Sequence, residues 1–164
     1  MEHVHPKKGG KRWRDAHCGK ETKLMVVVDG QGMPIGLKLT SATPNESTLI
    51  ESTLDTIRVP RKGKERPRKR FPRLIYDRAA DRHQLRHRLK TERKIDLICP
   101  QRSNRKVKVQ DGRKLRRYRR RWKIERTNAW LQNFRRVLVR FDHSITMSTG
   151  FVTLACIMIT LRQL

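Results

Sequence analysis

At 164 residues with 35% apolar content, the chain is long enough for one domain with a modest core and too apolar for a disordered polymer. Its 41 Lys and Arg against 15 Asp and Glu give a net charge of +26, which repels itself unless a polyanion or a widely spread surface relieves it, so nucleic acid is the expected partner. No window reaches the roughly 20 apolar residues of a membrane span, and Met1–Arg14 is polar and basic rather than a signal peptide, so a cytoplasmic chain is expected.

Residues 1–22 mix Gly, Lys, Arg and His without period, and read as a strandless basic arm or the remnant of a truncated element. His3, His5, His17 and Cys18 fall there, but their irregular spacing argues against a metal site. Three widely separated cysteines, Cys18, Cys99 and Cys156, fit neither a disulfide framework nor paired CxxC motifs, and read as reduced thiols.

The body, 23–164, opens on KLMVVV, a β-branched run from Lys23 to Val28. Asp29-Gly30-Gln31-Gly32 is a turn signal and Pro34–Thr40 a second strand, which together predict a hairpin. Asn45 opens a helix with Leu49, Ile50, Leu54 and Ile57 on one side and the early acids Glu46 and Glu51. The basic tract 58–73 has no apolar period and is either a solvated linker or a loop draped over a phosphate backbone.

Arg73–Asp77 predicts a short strand ending on an acid, followed by a helix from about Ala79 to Arg93 and a strand at Ile95–Cys99. A second basic loop, 101–113, leads to one long helix from Lys114 to Phe134. A final apolar helix from about Met147 carries Phe151, Leu154, Ala155, Met158 and Leu161 on one face. Strands alternating with helices predict an α/β fold, a layered sheet flanked by helices.

Chemistry is expected at two acids. Asp77 ends a strand, where open sheets present ligands, and Glu125 stands on the long helix four residues after Arg121, which is itself three after Tyr118. Carboxylate oxygens suit Mg²⁺-like cations, which keep positions open for phosphate and water. The local sequence leaves other roles open: Asp77 or Asp81 as a helix N-cap, Glu125 as the partner of Arg121 in an exposed ion pair, and Tyr118, Trp122 and Trp130 as packing residues.

Tyr118, Arg121 and Glu125, spaced Tyr-x2-Arg-x3-Glu, resemble the Tyr-Arg-Glu signature of bacterial insertion-sequence transposases of the DDE superfamily. VDGQGMPIGLKLTSATPNE, LIYDRAADRHQLR, ICPQRSNR and YRRRWKIERTNAWLQNFRRVLVRFD are similar to that family's motifs in the family's order. The resemblance implies an RNase H-like mixed sheet flanked by helices, here lacking the family's first strand, with Asp77 and Glu125 as the second and third catalytic carboxylates holding two Mg²⁺ or Mn²⁺ ions. It also implies that Tyr118 and Arg121 hold the phosphates of double-stranded transposon ends, with Arg117, Arg120 and Lys123 adding DNA contacts.

The family's Lys, which follows the Glu after six intervening residues, is replaced by Gln132, an uncharged DNA contact. The family's first catalytic Asp precedes the hairpin and has no counterpart, since Asp15 lies in a polar basic stretch and Asp29 in the hairpin turn. The expectation is therefore a transposase fragment, inactive alone: a relic, or the second frame of a frameshifted element joined by an upstream-frame product, possible as a homodimer on DNA. A non-catalytic basic nucleic-acid-binding protein is the alternative.

Overall fold

The structure is a computed structural model and describes residues 2–4, 22–60, 65–67, 71–101 and 111–163; of 2–4 it describes the backbone alone. The centre of the molecule is the KLMVVV run. Strand β2 (Thr22–Val28) pairs antiparallel with β3 (Pro34–Ser41), Lys23 opposite Thr40 and Val26 opposite Leu37, with an irregularity between Val27 and Val28. Alternation sends Met25 and Val27 to one face and Leu24 and Val26 to the other, and all four are buried. A strand covered on both faces reads as a continuous apolar run, which is the pattern its sequence shows.

On the Met25 face lie helix α1 (Glu46–Leu54) and a parallel unit in which β4 (Arg73–Ile75), helix α2 (His83–Thr91) and β5 (Asp96–Ile98) follow one another. Leu49, Ile50, Leu54, Leu74, Leu85, Leu89 and Leu97 join Met25 and Val27 in one core. On the Leu24 face lie helix α4 (Trp122–Gln132) and helix α6 (Ile145–Leu161), which contribute Ile124, Leu131, Val152, Ala155 and Ile159 to a second core. The short helices α3 (Gly112–Leu115) and α5 (Arg135–Leu138) flank α4. The fold is thus α/β, as expected, with helices on both faces of the hairpin, but among the described residues its strands form two sheets, antiparallel β1–β2–β3 and parallel β4–β5, rather than one mixed sheet.

The hairpin and α1 fall where the sequence places them, and Asn45 is the N-cap of α1, its side chain accepting from Ser47 N at 3.1 Å. Three expectations need correction. Residues 1–22 are not strandless: β1 (Glu2–Val4) pairs antiparallel with β2, Glu2 opposite Val26 and Val4 opposite Leu24. Three residues are too few to show a period, and what recruits them is the free backbone edge of β2. The helix foreseen from Lys114 to Phe134 is broken by a 3₁₀ segment, Arg116–Arg121, between α3 and α4. Six consecutive polar side chains offer no apolar stripe to hold a continuous α-helix there.

The third correction concerns α6. Of the face Phe151, Leu154, Ala155, Met158 and Leu161, only Ala155 is buried, while Ser148, Val152, Cys156 and Ile159 complete the inner face. A helix apolar all round gives periodicity nothing to choose between. The tracts 61–64, 68–70 and 102–110, together with Asp15, His5, His17 and Cys18, lie outside the described residues. Cys99 and Cys156 are free thiols, both buried.

Local ties set the layers in register. Gly36 allows the chain after α1 to approach β3, since a Cβ there would stand 2.8 Å from Ile57 Cγ1 and 2.9 Å from Thr56 Oγ1. Arg93 grips Asp55 through both guanidinium nitrogens, at 2.8 and 3.3 Å, and the bond holds the Asp55 carboxyl below the usual carboxylate range. Arg140 donates to Thr22 Oγ1, Asp142 O and His143 O, which fastens the segment before α6 to the start of β2.

Leu131, fully buried in the second core, is expected to cost about 2–5 kcal/mol when truncated to Ala, read as a lower urea midpoint with an unchanged slope. Gly32→Ala at φ +91° is expected to cost about 1–2 kcal/mol in the same measurement, because an L-residue is strained in that region.

Candidate nucleic-acid and phosphoryl-transfer site

The site is assembled where the β2–β3 turn meets the start of α4. In the turn, Asp29 Oδ1 accepts from Gln31 N at 2.8 Å and Met33 N at 3.0 Å, and Gly32 takes the positive φ. Its carbonyls then point outward in sequence: Gly30 O accepts from Lys123 Nζ, Gln31 O from Arg126 Nη2 at 2.5 Å, and Gly32 O from Thr127 Oγ1 at 2.6 Å. Three successive carbonyls gripped by one helix fix the azimuth of α4, and with it the direction of Glu125. Asp29 is accordingly a turn-forming residue.

Asp77 stands two residues beyond β4 and caps the 3₁₀ turn Arg78–Ala80, its Oδ1 accepting from Ala79 N at 2.8 Å. Asp81 is not the cap: its side chain is buried and pairs with Arg86 at 3.4 Å, while Arg86 also donates to Leu97 O and Cys99 Sγ. Glu125 lies in the first turn of α4 with its side chain 52% exposed and 3.6 Å from Arg121 Nε. An ion pair so open to water contributes little to stability.

Tyr118 lies in the 3₁₀ segment, half-buried, and Arg121 Nη1 donates to its hydroxyl at 2.8 Å. In a 3₁₀ turn residues three apart eclipse, which is why this pair meets so directly. The Tyr118 phenol is held above its ordinary pKa by burial first, then by the negative charges of Asp77 and Glu125. One phenol therefore feels both carboxylates, although 48 residues of sequence separate them.

Arg117, Arg120, Arg121 and Lys123 all line a cavity of about 460 Å³, whose walls include Val28 and Leu74, residues of strands in different sheets. Lys123 is partly spent on the Gly30 carbonyl, whereas Arg120 is exposed. Gln132 is exposed at the far end of α4, two turns from Glu125. Among the described residues no three His, Cys, Asp or Glu side chains converge as metal ligands.

Two participants were not foreseen. Arg78 acts on Tyr118 electrostatically, opposing the two acids. Arg126 lies between two indoles, its guanidinium 4.9 Å from the Trp122 ring and 4.6 Å from the Trp130 ring. The signal for the second was present in the sequence as Trp-x3-Arg-x3-Trp, a spacing that stacks side chains along one side of a helix. Nothing local signals Arg78.

The family described as transposase DDE domain matches residues 2–160. A relative described as a putative transposase for insertion sequence element IS402, from Burkholderia cepacia, is 34% identical over 146 residues, covering 87% of this chain and 65% of that protein. The chain thus spans a little under two thirds of that relative's length. No solved structure matches it. With the family's match running through β1, the hairpin, Asp77, Glu125 and α6, the chain belongs to the DDE transposase family of insertion sequences.

Proposed function

We propose that this chain is the catalytic part of a transposase that binds double-stranded DNA at element ends and carries out in-line phosphoryl displacement there. The observation that carries the reading is the Tyr118 phenol, which senses Asp77 and Glu125 together and accepts from Arg121, one of four cations lining an adjoining cavity. The finer assignments are an RNase H-like body over 23–164, preceded over 1–22 by a basic arm or the remnant of a truncated element whose residues 2–4 add β1 to the sheet, and work on DNA in the cytoplasm. Assembly as a homodimer on DNA, or with an upstream-frame product, belongs to the same reading.

The donor set fits a hard divalent cation. Asp77 Oδ1 is spent on Ala79 N, its Oδ2 has no hydrogen-bond donor among the described residues, and Glu125 is half open to water. Asp77 and Glu125 would hold Mg²⁺ or Mn²⁺, which when bound would neutralise charge on the attacking and leaving oxygens of a phosphodiester. Arg121 is placed to donate charge-assisted hydrogen bonds to a phosphate beside Glu125, and its bond to Tyr118 sets its orientation. Arg117 and Arg120 extend the positive track, and exposed Gln132 supplies a neutral contact further along. Such chemistry uses a third carboxylate, so cleavage depends on one besides these two.

A specific observation favours the second reading, a basic nucleic-acid-binding module: Asp77 caps a turn and Glu125 pairs with Arg121, so each acid already has a structural partner. Mn²⁺ binding to the intact chain, followed by the ion's paramagnetic resonance signal, separates the two. The transposase reading expects saturable binding that weakens at least about tenfold, the effect of one lost ligand interaction of ~1.4 kcal/mol, in both Asp77→Asn and Glu125→Gln. Equal binding by all three proteins leaves the binding module.

Duplex affinity is expected to fall roughly 100-fold between 50 and 200 mM salt, as about four neutralised phosphates require. In metal-free buffer, Asp77→Asn is expected to lower the Tyr118 pKa, because a charge opposing the phenolate is removed. Phenolate absorbance reads this, since burial, with Glu46 and Asp77 beside it, drives the other described tyrosine, Tyr76, to a far higher range.

A further inference from the structure

We propose that the outer face of helix α6 is a self-pairing surface, on which a second copy of this chain docks antiparallel about a two-fold axis near Leu154. The pairing rests on the homodimer reading of the previous subsection and names its surface. Helix α6 buries Ser148, Val152, Ala155, Cys156 and Ile159 against the second core, yet its opposite side is just as apolar: Met147, Leu154, Ile157, Met158 and Leu161 are 46–65% exposed. A helix apolar on both sides has a second face still to cover.

Spacing turns that face into a seam. Met147, Gly150, Leu154, Ile157 and Leu161 follow one another in steps of three, four, three and four, the repeat that keeps side chains facing a partner helix. Gly150 is a notch in the ridge, because a Cβ there would meet no atom within 4 Å. Pairing two such helices antiparallel about Leu154 sets Met147 beside the partner's Leu161 and lowers the partner's Ile157 over the notch. The seam thus fits itself, as a two-fold contact requires.

Charge selects a second copy as the occupant. His143–Leu161 is the longest run of the sequence without Asp, Glu, Lys or Arg, in a chain of +26 whose copies repel one another wherever cations meet. Here two copies can touch without burying like charges. An acidic protein or a nucleic acid would instead be drawn to the cations, and not to the long stretch that lacks them. Antiparallel helices also bring each positive N-terminus beside a negative C-terminus. Drying the fringe costs little, since Thr149, Thr153 and Thr160 donate to the carbonyls of Ile145, Thr149 and Cys156 within their own helix. The cations of 116–123 stay free for DNA, because none of them lies on α6.

Sedimentation equilibrium of the full chain after nuclease treatment, in about 0.5 M salt to screen surface charge, is expected to show a monomer–dimer balance with Kd on the order of 10 µM, as a contact one helix wide implies. Leu154→Lys sets two ammonium groups against each other at the axis and is expected to weaken pairing at least about tenfold. Gly150→Leu fills the notch and is expected to weaken it as well, whereas an unspecific apolar contact would gain from the added side chain. Both positions are exposed, so unchanged circular dichroism is expected for both variants.

A dimer untouched by Leu154→Lys, or strengthened by Gly150→Leu, overturns the α6 pairing and leaves the homodimer reading in place. A chain monomeric at every concentration also overturns it. If that monomer loads singly on a duplex long enough for two copies, the homodimer reading falls too. A monomer that binds phosphatidylcholine vesicles through Leu154 assigns the face to lipid and overturns the pairing.

Discussion

Three backbone carbonyls of one hairpin turn, Gly30, Gln31 and Gly32, accept hydrogen bonds from Lys123, Arg126 and Thr127 of α4, and the remainder of the site takes its geometry from that grip. Residues 123, 126 and 127 face the turn, so residue 125 between them is directed away from it, toward Tyr118 and Arg121. The turn can offer its carbonyls this way because Asp29 closes it from inside and Gly32 accepts the left-handed conformation. Charge-assisted bonds from Lys123 and Arg126 are the stronger class, and the carbonyl dipoles they meet partly solvate two positive charges.

The same economy recurs elsewhere. Arg93 closes α2 against Asp55, Lys114 reaches Asp96 at 2.8 Å, Arg86 spans Asp81, Leu97 and Cys99, and Arg140 laces the α5–α6 connector to β2. Many cations are thus absorbed as structural donors to carbonyls and acids. Arg117, Arg120, Arg121 and Lys123, in the 3₁₀ turn and at the head of α4, instead line a cavity whose walls include strands of two sheets, although Lys123 also serves the hairpin turn. One of these cations, Arg121, also donates to the phenol that feels both carboxylates.

Much of this was legible in the residues. KLMVVV followed by Asp-Gly-Gln-Gly announces a buried strand and its turn, Asn45 announces a helix start, and the Tyr-Arg-Glu spacing places three side chains within reach of one another. What could not be read is instructive. Asp77 is both the acid at a strand end and a cap, because a carboxylate has two oxygens and only one is needed for Ala79 N. The 3₁₀ segment escaped notice because i, i+3 spacing looks alike in both helix types. The inner face of α6 escaped because its sequence is apolar on every side.

By itself, then, the amino-acid order determined the hairpin, the start of α1, the excess of positive charge and the family, since strand and helix periods, turn residues and motif spacing are properties of neighbours along the chain. Only tertiary structure decided that β2 is covered on both faces, that Ser148, Val152, Cys156 and Ile159 turn inward while Leu154 and Leu161 remain exposed, and that Asp77 and Glu125 act on one phenol. Those outcomes depend on which surfaces meet across long stretches of sequence, and a local pattern states what a face is made of without stating what will cover it.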